Sequence, residues 1–171
     1  MRYILNILRA SVMTKLVIVA VLFVWLPWKT SYVVHSYKIR QKVTEGLKLA
    51  TLAKAVVEEN VTKGTALNKG WVLPPSSDGV VVSIAQNTGV ITVAYGENVD
   101  GGGRTLTVIP VLSGKAGGYA FSGNVNSSSS LIPASLVSWV CASANTISFN
   151  PTVLENKGTL PTKFAPLECR L

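Results

Sequence analysis

An unbroken apolar run from Leu16 to Trp28, with Lys15 before it and Lys29 after it, limits the folds that this chain can adopt. As a helix it would be about 20 Å long, which is shorter than the roughly 30 Å hydrocarbon core of a bilayer. It can span a membrane if the two lysines reach toward the interfaces, or if the helix continues backward with Arg9 near an interface. We therefore predict a membrane anchor within residues 1–36.

A cleaved secretory signal is the alternative, since Arg2 and Arg9 make a basic beginning, but no Ala-x-Ala cleavage site follows Trp28. The basic residues on the two sides of the run are nearly balanced, so they do not set an orientation. Cys141 and Cys169 both lie near the C-terminus, and with an N-terminal apolar segment they favour an oxidising compartment and one disulfide. The alternative is a pair of reduced, buried cysteines in a cytosolic protein.

Basic residues outnumber acidic ones by 16 to 8, which gives a formal net charge of +8. Those that follow the apolar run crowd into one segment: Lys38, Arg40, Lys42, Lys48, Lys54, Lys63 and Lys69. A basic helix beside a membrane explains this crowding at least as well as a nucleic-acid-binding face does. The alternative function on this ground is a module that binds DNA or phage, with exposed Trp or Tyr side chains as stacking partners.

The segment from Tyr37 to Lys63 has the apolar spacing of an amphipathic helix. Its apolar residues recur every three or four positions and form one stripe: Ile39, Val43, Leu47, Ala50, Ala53 and Val57. Gly64 follows as the expected stop, because glycine accepts the left-handed conformation that ends many helices. We predict one long helix that begins in the membrane anchor and continues into a soluble head.

Short β-rich runs separated by turn residues follow Gly70 and predict an antiparallel sheet within residues 80–142. Four strands are expected: Val80–Ile84, Gly89–Tyr95, Thr105–Leu112 and Leu136–Ala142. Pro110 lies late in the third run, as an edge strand would permit, because proline has no N–H to donate to a ladder. The Ser-rich segment 122–130 predicts an exposed loop. The fold class is α+β, with a single head domain at residues 37–171.

No arrangement of residues in the sequence points to catalysis or metal binding. The single histidine, His35, lies between the apolar run and the basic helix, where no catalytic partner surrounds it. The adjacent acids Glu58 and Glu59 point to different faces of a helix, so they predict no metal site. The glycines at 101–103 predict a hairpin connection, since no strand-to-helix phosphate loop contains them. We expect no enzymatic activity, no cofactor and no small-molecule substrate.

Three segments of the chain carry a resemblance to a known family. The first is Tyr37–Leu47, at the start of the predicted amphipathic helix. The second pairs Asn87–Val93 with Thr105–Pro110. The third combines Trp139–Cys141 with Gly158–Arg170, and it is the most specific of the three. Together they resemble the type IV pilins, which build thin surface filaments on bacteria.

The resemblance implies a long N-terminal helix packed on a four-stranded antiparallel sheet, with a C-terminal loop closed by Cys141 and Cys169. It implies a structural subunit of a type IV pilus, a filament used in adhesion, twitching motility and DNA uptake. The partners would be copies of the same chain and the pilus assembly machinery. Before assembly the apolar segment would hold the subunit in the bacterial inner membrane with its head in the periplasm. In the cell-surface pilus the same segment would pack in the filament core.

The first 36 residues depart from the family pattern. Type IV pilin precursors have a basic leader that ends in glycine, then phenylalanine, and a glutamate four positions later. Continuing the match backward without gaps places leader cleavage at Ala10 and Ser11, and Lys15 at the glutamate. In the family this acid pairs with the amino terminus of a neighbouring subunit, so Lys15 would bring two cations together in a low-dielectric core.

Three explanations of this departure stay open. The chain is a variant pilin that assembles differently, a non-assembling pilin-like protein or minor pilin, or the product of a pilin gene whose 5′ region was replaced or frameshifted. For a pilin head, two surfaces are expected to face partners: Ala142–Glu155 between the cysteines, and the Ser-rich loop near Asn126. The side chains of Trp71, Trp139 and Tyr95 are expected in the core instead.

Overall fold

A computed structural model describes residues 12–74, 79–112, 119–120, 133–148 and 151–170 of the chain. Two compact units are present, Met1–Lys38 and Ile39–Leu171. The helices are α1, Val12–Lys63, and α2, Pro151–Glu155. The strands are β1, Val80–Ile84; β2, Ile91–Tyr95; β3, Arg104–Leu112; β4, Tyr119–Ala120; and β5, Val137–Ala142. Two 3₁₀ turns lie at Ala134–Leu136 and Leu167–Cys169. The loop predicted near Asn126 lies outside the described residues.

The strands form one antiparallel sheet with β3 near its centre. β1 pairs with β2, β2 with β3, and β3 with β5. The two-residue β4 pairs with the end of β3, at Val111 and Leu112. The four longer strands are those expected from the sequence, so the prediction of a helix packed on a four-stranded antiparallel sheet is confirmed.

The head part of α1 packs on one face of the sheet through the predicted apolar stripe. Ile39, Val43, Ala50, Ala53 and Val57 are each no more than 1% exposed. They share a core with residues of β1, β2 and β3, including Val82, Val93 and Leu106. Burying each such valine, leucine or isoleucine side chain stabilises the fold by about 1.5 to 3 kcal/mol, the free energy of transferring it from water to the protein interior. The helix ends at Lys63, and Gly64 follows with φ +62° as expected of a helix stop.

Gly46 allows Tyr95 of β2 to lie directly against α1. Tyr95 is 3% exposed, and its hydroxyl donates a hydrogen bond of 3.2 Å to the carbonyl oxygen of Val43. Burial raises the pKa of Tyr95 well above its usual range, so the hydroxyl keeps its proton and remains a donor. A Cβ atom at position 46 would lie 2.7 Å from both Cε1 and the hydroxyl oxygen of Tyr95, and 2.8 Å from Cγ1 of Val93.

The Gly46→Ala variant should therefore lose about 1 to 3 kcal/mol of unfolding free energy, because the Tyr95 ring has to move and give up its hydrogen bond. In an unobstructed helix interior the same change stabilises by about 1 kcal/mol, so the expected sign is the reverse of helix propensity. Urea unfolding followed by circular dichroism measures the effect. In a Tyr95→Leu background Gly46→Ala should destabilise less, because only the contact with Cγ1 of Val93 remains. Equal destabilisation in both backgrounds would exclude Tyr95 as the cause.

β3 is buried on both of its faces, from Leu106 to Val111. Leu106 and Val108 belong to the core shared with α1. A second cluster on the opposite face contains Val90, Ile109, Val111, Ala142 and Val153. Pro110 does not lie on an edge strand, since β3 has neighbours on both sides. The ladder with β2 ends at Val108 and the ladder with β4 begins at Val111, so Pro110 lies in the gap between them.

Candidate functional site

An apolar stretch of α1, Val12–Val24, is open to its surroundings. Its apolar side chains are exposed by fractions from 39% at Ile18 to 77% at Phe23. Lys15 lies within the stretch and is exposed too. A continuous apolar surface of this size is typical of a site for an apolar partner. We call residues Val12–Val24 the apolar stretch.

Within the described ranges of the chain, no helix combines the length and the apolar character that crossing a bilayer requires. The transmembrane part of the fold prediction therefore lacks support from the structure. The predicted cleavage residues Ala10 and Ser11 lie outside the described residues.

Cys141 on β5 and Cys169 in the last 3₁₀ turn form the predicted disulfide. Their Cα atoms are 4.6 Å apart, and 28 positions separate them in the sequence. Cys169 is fully buried, whereas Cys141 is partly exposed. The bond therefore closes the C-terminal loop onto the core side of β5.

The loop between the two cysteines covers the second face of the sheet. Val153 of α2 is fully buried there against the second cluster. The hydroxyl of Thr107 on β3 donates to the carbonyl oxygen of Asn156 at 2.6 Å. The loop is thus a structural layer of the head as well as a surface.

The buried hydroxyl of Thr146 and the backbone N–H of Ser143 fix the start of this loop to its end. The Thr146 hydroxyl donates to the carbonyl oxygen of Cys169 at 2.9 Å, and the Ser143 N–H donates to the Thr146 hydroxyl oxygen at 2.8 Å. The Ser143 N–H also donates to the Cys169 carbonyl oxygen at 3.2 Å. These bonds satisfy polar groups that burial would otherwise leave costly.

At Gly158 the loop passes the first residues of β3. The N–H groups of Thr159 and Leu160 both donate to the carbonyl oxygen of Thr105 at 2.8 Å. The Thr105 N–H donates in return to the hydroxyl oxygen of Thr159 at 2.9 Å. Gly158 lies beneath these bonds in close contact with backbone atoms of β3 and β5.

Within the segment predicted to face partners, burial alternates with exposure. Ser143, Thr146 and Val153 are buried, whereas Ile147 is 81% exposed and Leu154 is 44% exposed. Leu167, in the last 3₁₀ turn, is 75% exposed. Among the described side chains of Ala142–Glu155, Ile147 and Leu154 are therefore available to a partner, and this role stays a prediction.

A polar contact joins α1 to β5 beside the disulfide. The indole N–H of Trp139 donates to a carboxylate oxygen of Glu58 at 2.8 Å, and the Lys54 ammonium lies 5.5 Å from the Trp139 ring centre. Burial lowers the pKa of Lys54, and the carboxylates of Glu58 and Glu168 partly oppose that shift. Tyr95 lies within the core, as predicted, whereas Trp139 and Trp71 are only partly buried against it.

Sequence reasoning missed a group of cations that only the fold brings together. A guanidinium nitrogen of Arg40 donates to the carbonyl oxygen of Lys163 at 3.1 Å, across 123 positions of sequence. The guanidinium of Arg170 donates to the carbonyl oxygen of Ala165 at 2.7 Å. We call Arg40, Lys163 and Arg170 the basic cluster. No local pattern could reveal it, because Arg40 lies on α1 and the other two lie near the C-terminus.

A family model described as pilin, a bacterial filament protein, matches residues 40–170. The match includes the head part of α1, the sheet and the disulfide-closed loop. A comparison with curated proteins gives no match. Among the residues that the structure describes, no group of three or more His, Cys, Asp or Glu side chains could hold a metal ion.

Proposed function

Because the chain belongs to the pilin family of bacterial filament proteins, we propose that it is a structural subunit of a type IV pilus. The observation that carries the proposal is the apolar stretch of α1. A filament subunit needs a surface that binds copies of itself, and the exposed side chains of Val12–Val24 supply one. The partner that we propose is therefore a second copy of this chain, repeated along a helical filament.

The same apolar stretch serves two surroundings in this proposal. Before assembly it holds the subunit at the bacterial inner membrane, with the head in the periplasm. During assembly the pilus machinery transfers it from lipid to neighbouring helices, which are equally apolar. An oxidising periplasm agrees with the disulfide between Cys141 and Cys169.

In the assembled pilus we propose the roles that such filaments have: adhesion, twitching motility and DNA uptake. We propose no catalytic activity for the chain itself. Its polar contacts, such as those of Thr105 with Thr159 and of Ser143 with Thr146, hold the head together.

Lys15 is the residue that most affects assembly in this proposal. It is exposed within the apolar stretch, and packing that stretch between neighbouring helices would desolvate its ammonium. A neighbouring amino terminus would add a second positive charge. We therefore expect filaments to form with a reduced yield, and we expect Lys15→Glu to increase that yield.

The test expresses the full chain in a type IV pilus-producing host that lacks its own major pilin. Electron microscopy of sheared surface material and an intact mass of the subunit are the two measurements. We expect filaments whose subunit begins at Ser11, and more of them with Lys15→Glu. If both proteins remain in the inner membrane with Met1 intact and no filaments form, the proposal is wrong. If only Lys15→Glu assembles, the proposal is wrong for this chain.

A further inference from the structure

We propose that the basic cluster, Arg40, Lys163 and Arg170, binds an anionic phospholipid surface. The inference rests on the proposed function only because a pilus subunit resides at a membrane before it assembles.

The fold brings Arg40 of α1 to the C-terminal segment that contains Lys163 and Arg170. The guanidinium groups of Arg40 and Arg170 bind carbonyl oxygens that belong to Lys163 and Ala165, two residues apart. The ammonium of Lys163 itself lies 4.5 Å from the ring centre of Phe164. Two guanidinium groups thus bind the same short segment, and an anionic partner would reduce the repulsion between their like charges.

The cluster keeps hydrogen-bond donors for such a partner. A guanidinium has five N–H donors, and the described contacts of Arg40 and of Arg170 each use one. In the described part of the chain the ion pairs involve other residues: Lys42 with Glu45, Lys63 with Glu59, and Arg104 with Asp100. Phosphate oxygens match the planar guanidinium geometry well.

A second copy of this chain is a poor source of the negative charge. The chain has only 8 acidic residues against 16 basic ones. Glu45, Glu59 and Asp100 already pair with cations of their own chain, and Glu58 accepts the indole N–H of Trp139. Four of the eight acids are thus engaged within their own chain, so a second copy is a weaker source of negative charge than an anionic lipid surface.

An exposed apolar side chain beside the cluster favours lipid over nucleic acid. Leu167 is 75% exposed and lies between Ala165 and Arg170, the two ends of one of the guanidinium contacts. Apolar side chains among cations are typical of surfaces that enter the headgroup layer. Phe164, the aromatic residue next to Lys163, is 7% exposed and packs in the core, so its ring offers no stacking face to a single-stranded nucleic acid.

The test measures partition of the full chain into two kinds of vesicle, phosphatidylcholine alone and phosphatidylcholine with phosphatidylglycerol. The apolar stretch binds both kinds, so the ratio of the two partition coefficients isolates the anionic contribution. Each cation near an anionic surface contributes a factor of about 5 at low salt, so three contribute about 100-fold. We expect the variant R40Q/K163Q/R170Q to lose this factor, and high salt to abolish it in the wild type.

The matched control is K48Q/K69Q/K157Q, which removes three charges elsewhere on the head and should lower the ratio by less than about fivefold. Equal losses in the two triple variants would overturn the proposal, because net charge would then explain the binding. A basic-cluster variant that loses affinity for duplex DNA but keeps its lipid ratio would also overturn it.

If the triple variant does not fold, Lys163→Gln alone decides the question. In the part of the chain that the structure describes, the Lys163 ammonium contacts the Phe164 ring. Removing this ammonium should lower the ratio of the two partition coefficients about fivefold. An unchanged ratio in a folded K163Q protein would overturn the proposal. The assay requires no filaments, so failure of pilus assembly and failure of lipid binding are separate results.

Discussion

Replacing Gly158 with alanine is expected to lower the free energy of unfolding by about 3 kcal/mol or more. The added Cβ would overlap the carbonyl oxygen of Thr105, and it would lie 2.9 Å from the Cα of Leu106 and 3.0 Å from the carbonyl oxygen of Ala142. All three are backbone atoms of β3 and β5, so no side-chain rotation can relieve the contact. The β-ladder between those strands would have to move instead.

The control for this variant is Gly70→Ala. Gly70 has φ +80° and no atom within 4 Å of an added Cβ, so alanine there costs about 1 to 2 kcal/mol from backbone strain alone. Gly158 is not among the residues with positive φ, so its cost comes from crowding. Urea unfolding of the full chain followed by circular dichroism compares the two. A Gly158→Ala protein as stable as Gly70→Ala would show that the strands yield easily at this contact.

Local periodicity was enough to predict the elements whose pattern lies within one segment. The stripe from Ile39 to Val57 recurs every three or four residues, and its members are buried as expected except Leu47, which is partly buried. β1 has the predicted bounds, Val80–Ile84, with alternate residues buried. In both cases one face of a single element meets the core, so the sequence of that element carries the whole signal.

The start of β2 differs from the prediction for a local reason. The strand was expected from Gly89, but it begins at Ile91. Gly89 has φ +67°, and its N–H donates to the carbonyl oxygen of Ala85 at 2.9 Å, which closes the turn. Glycine at the end of a tight turn belongs to the turn, because the left-handed conformation cannot continue a strand.

The second face of the sheet could not be predicted, because its cover comes from a distant segment. Ile109 and Val111 are buried by Val153, which lies more than 40 positions later in the sequence. A run that is apolar on both faces is typical of a central strand, and the proline within it pointed to an edge. The gap between the β2 and β4 ladders allows both features at once.

The candidate site likewise has one part that the sequence predicts, the disulfide, and one part that it does not, the basic cluster. Two cysteines in a chain with an N-terminal apolar segment were enough to predict the bond between Cys141 and Cys169. The basic cluster depends on a contact between Arg40 and Lys163 that no spacing indicates. Sequence therefore predicts the covalent link, and only the fold shows which charged side chains share a surface.

Removing the disulfide by replacing Cys141 and Cys169 together with alanine is expected to lower the free energy of unfolding by about 3 to 4 kcal/mol. The bond links residues 28 positions apart, so its loss frees a long loop in the unfolded chain. In the folded chain the Thr146 hydroxyl and the Ser143 N–H still donate to the Cys169 carbonyl oxygen, because neither contact involves a sulfur atom. We therefore expect the variant to fold with the loop in place and to unfold at a lower urea concentration.

Hydrogen exchange distinguishes an effect of the disulfide on the unfolded chain from an effect on the loop in the folded state. If the bond acts through the unfolded chain, the amides of Val153 and Leu106 should exchange at rates that rise together in the double variant. A large rise at Val153 alone would mean that the disulfide holds the loop against the second cluster in the folded state. Ser143→Ala is the matched control, since it keeps the backbone N–H that bonds to Thr146 and Cys169 and should cost under about 1 kcal/mol. A double cysteine variant as stable as that control would contradict the loop-entropy account, because the hydrogen bonds at Cys169 would then be sufficient to close the loop.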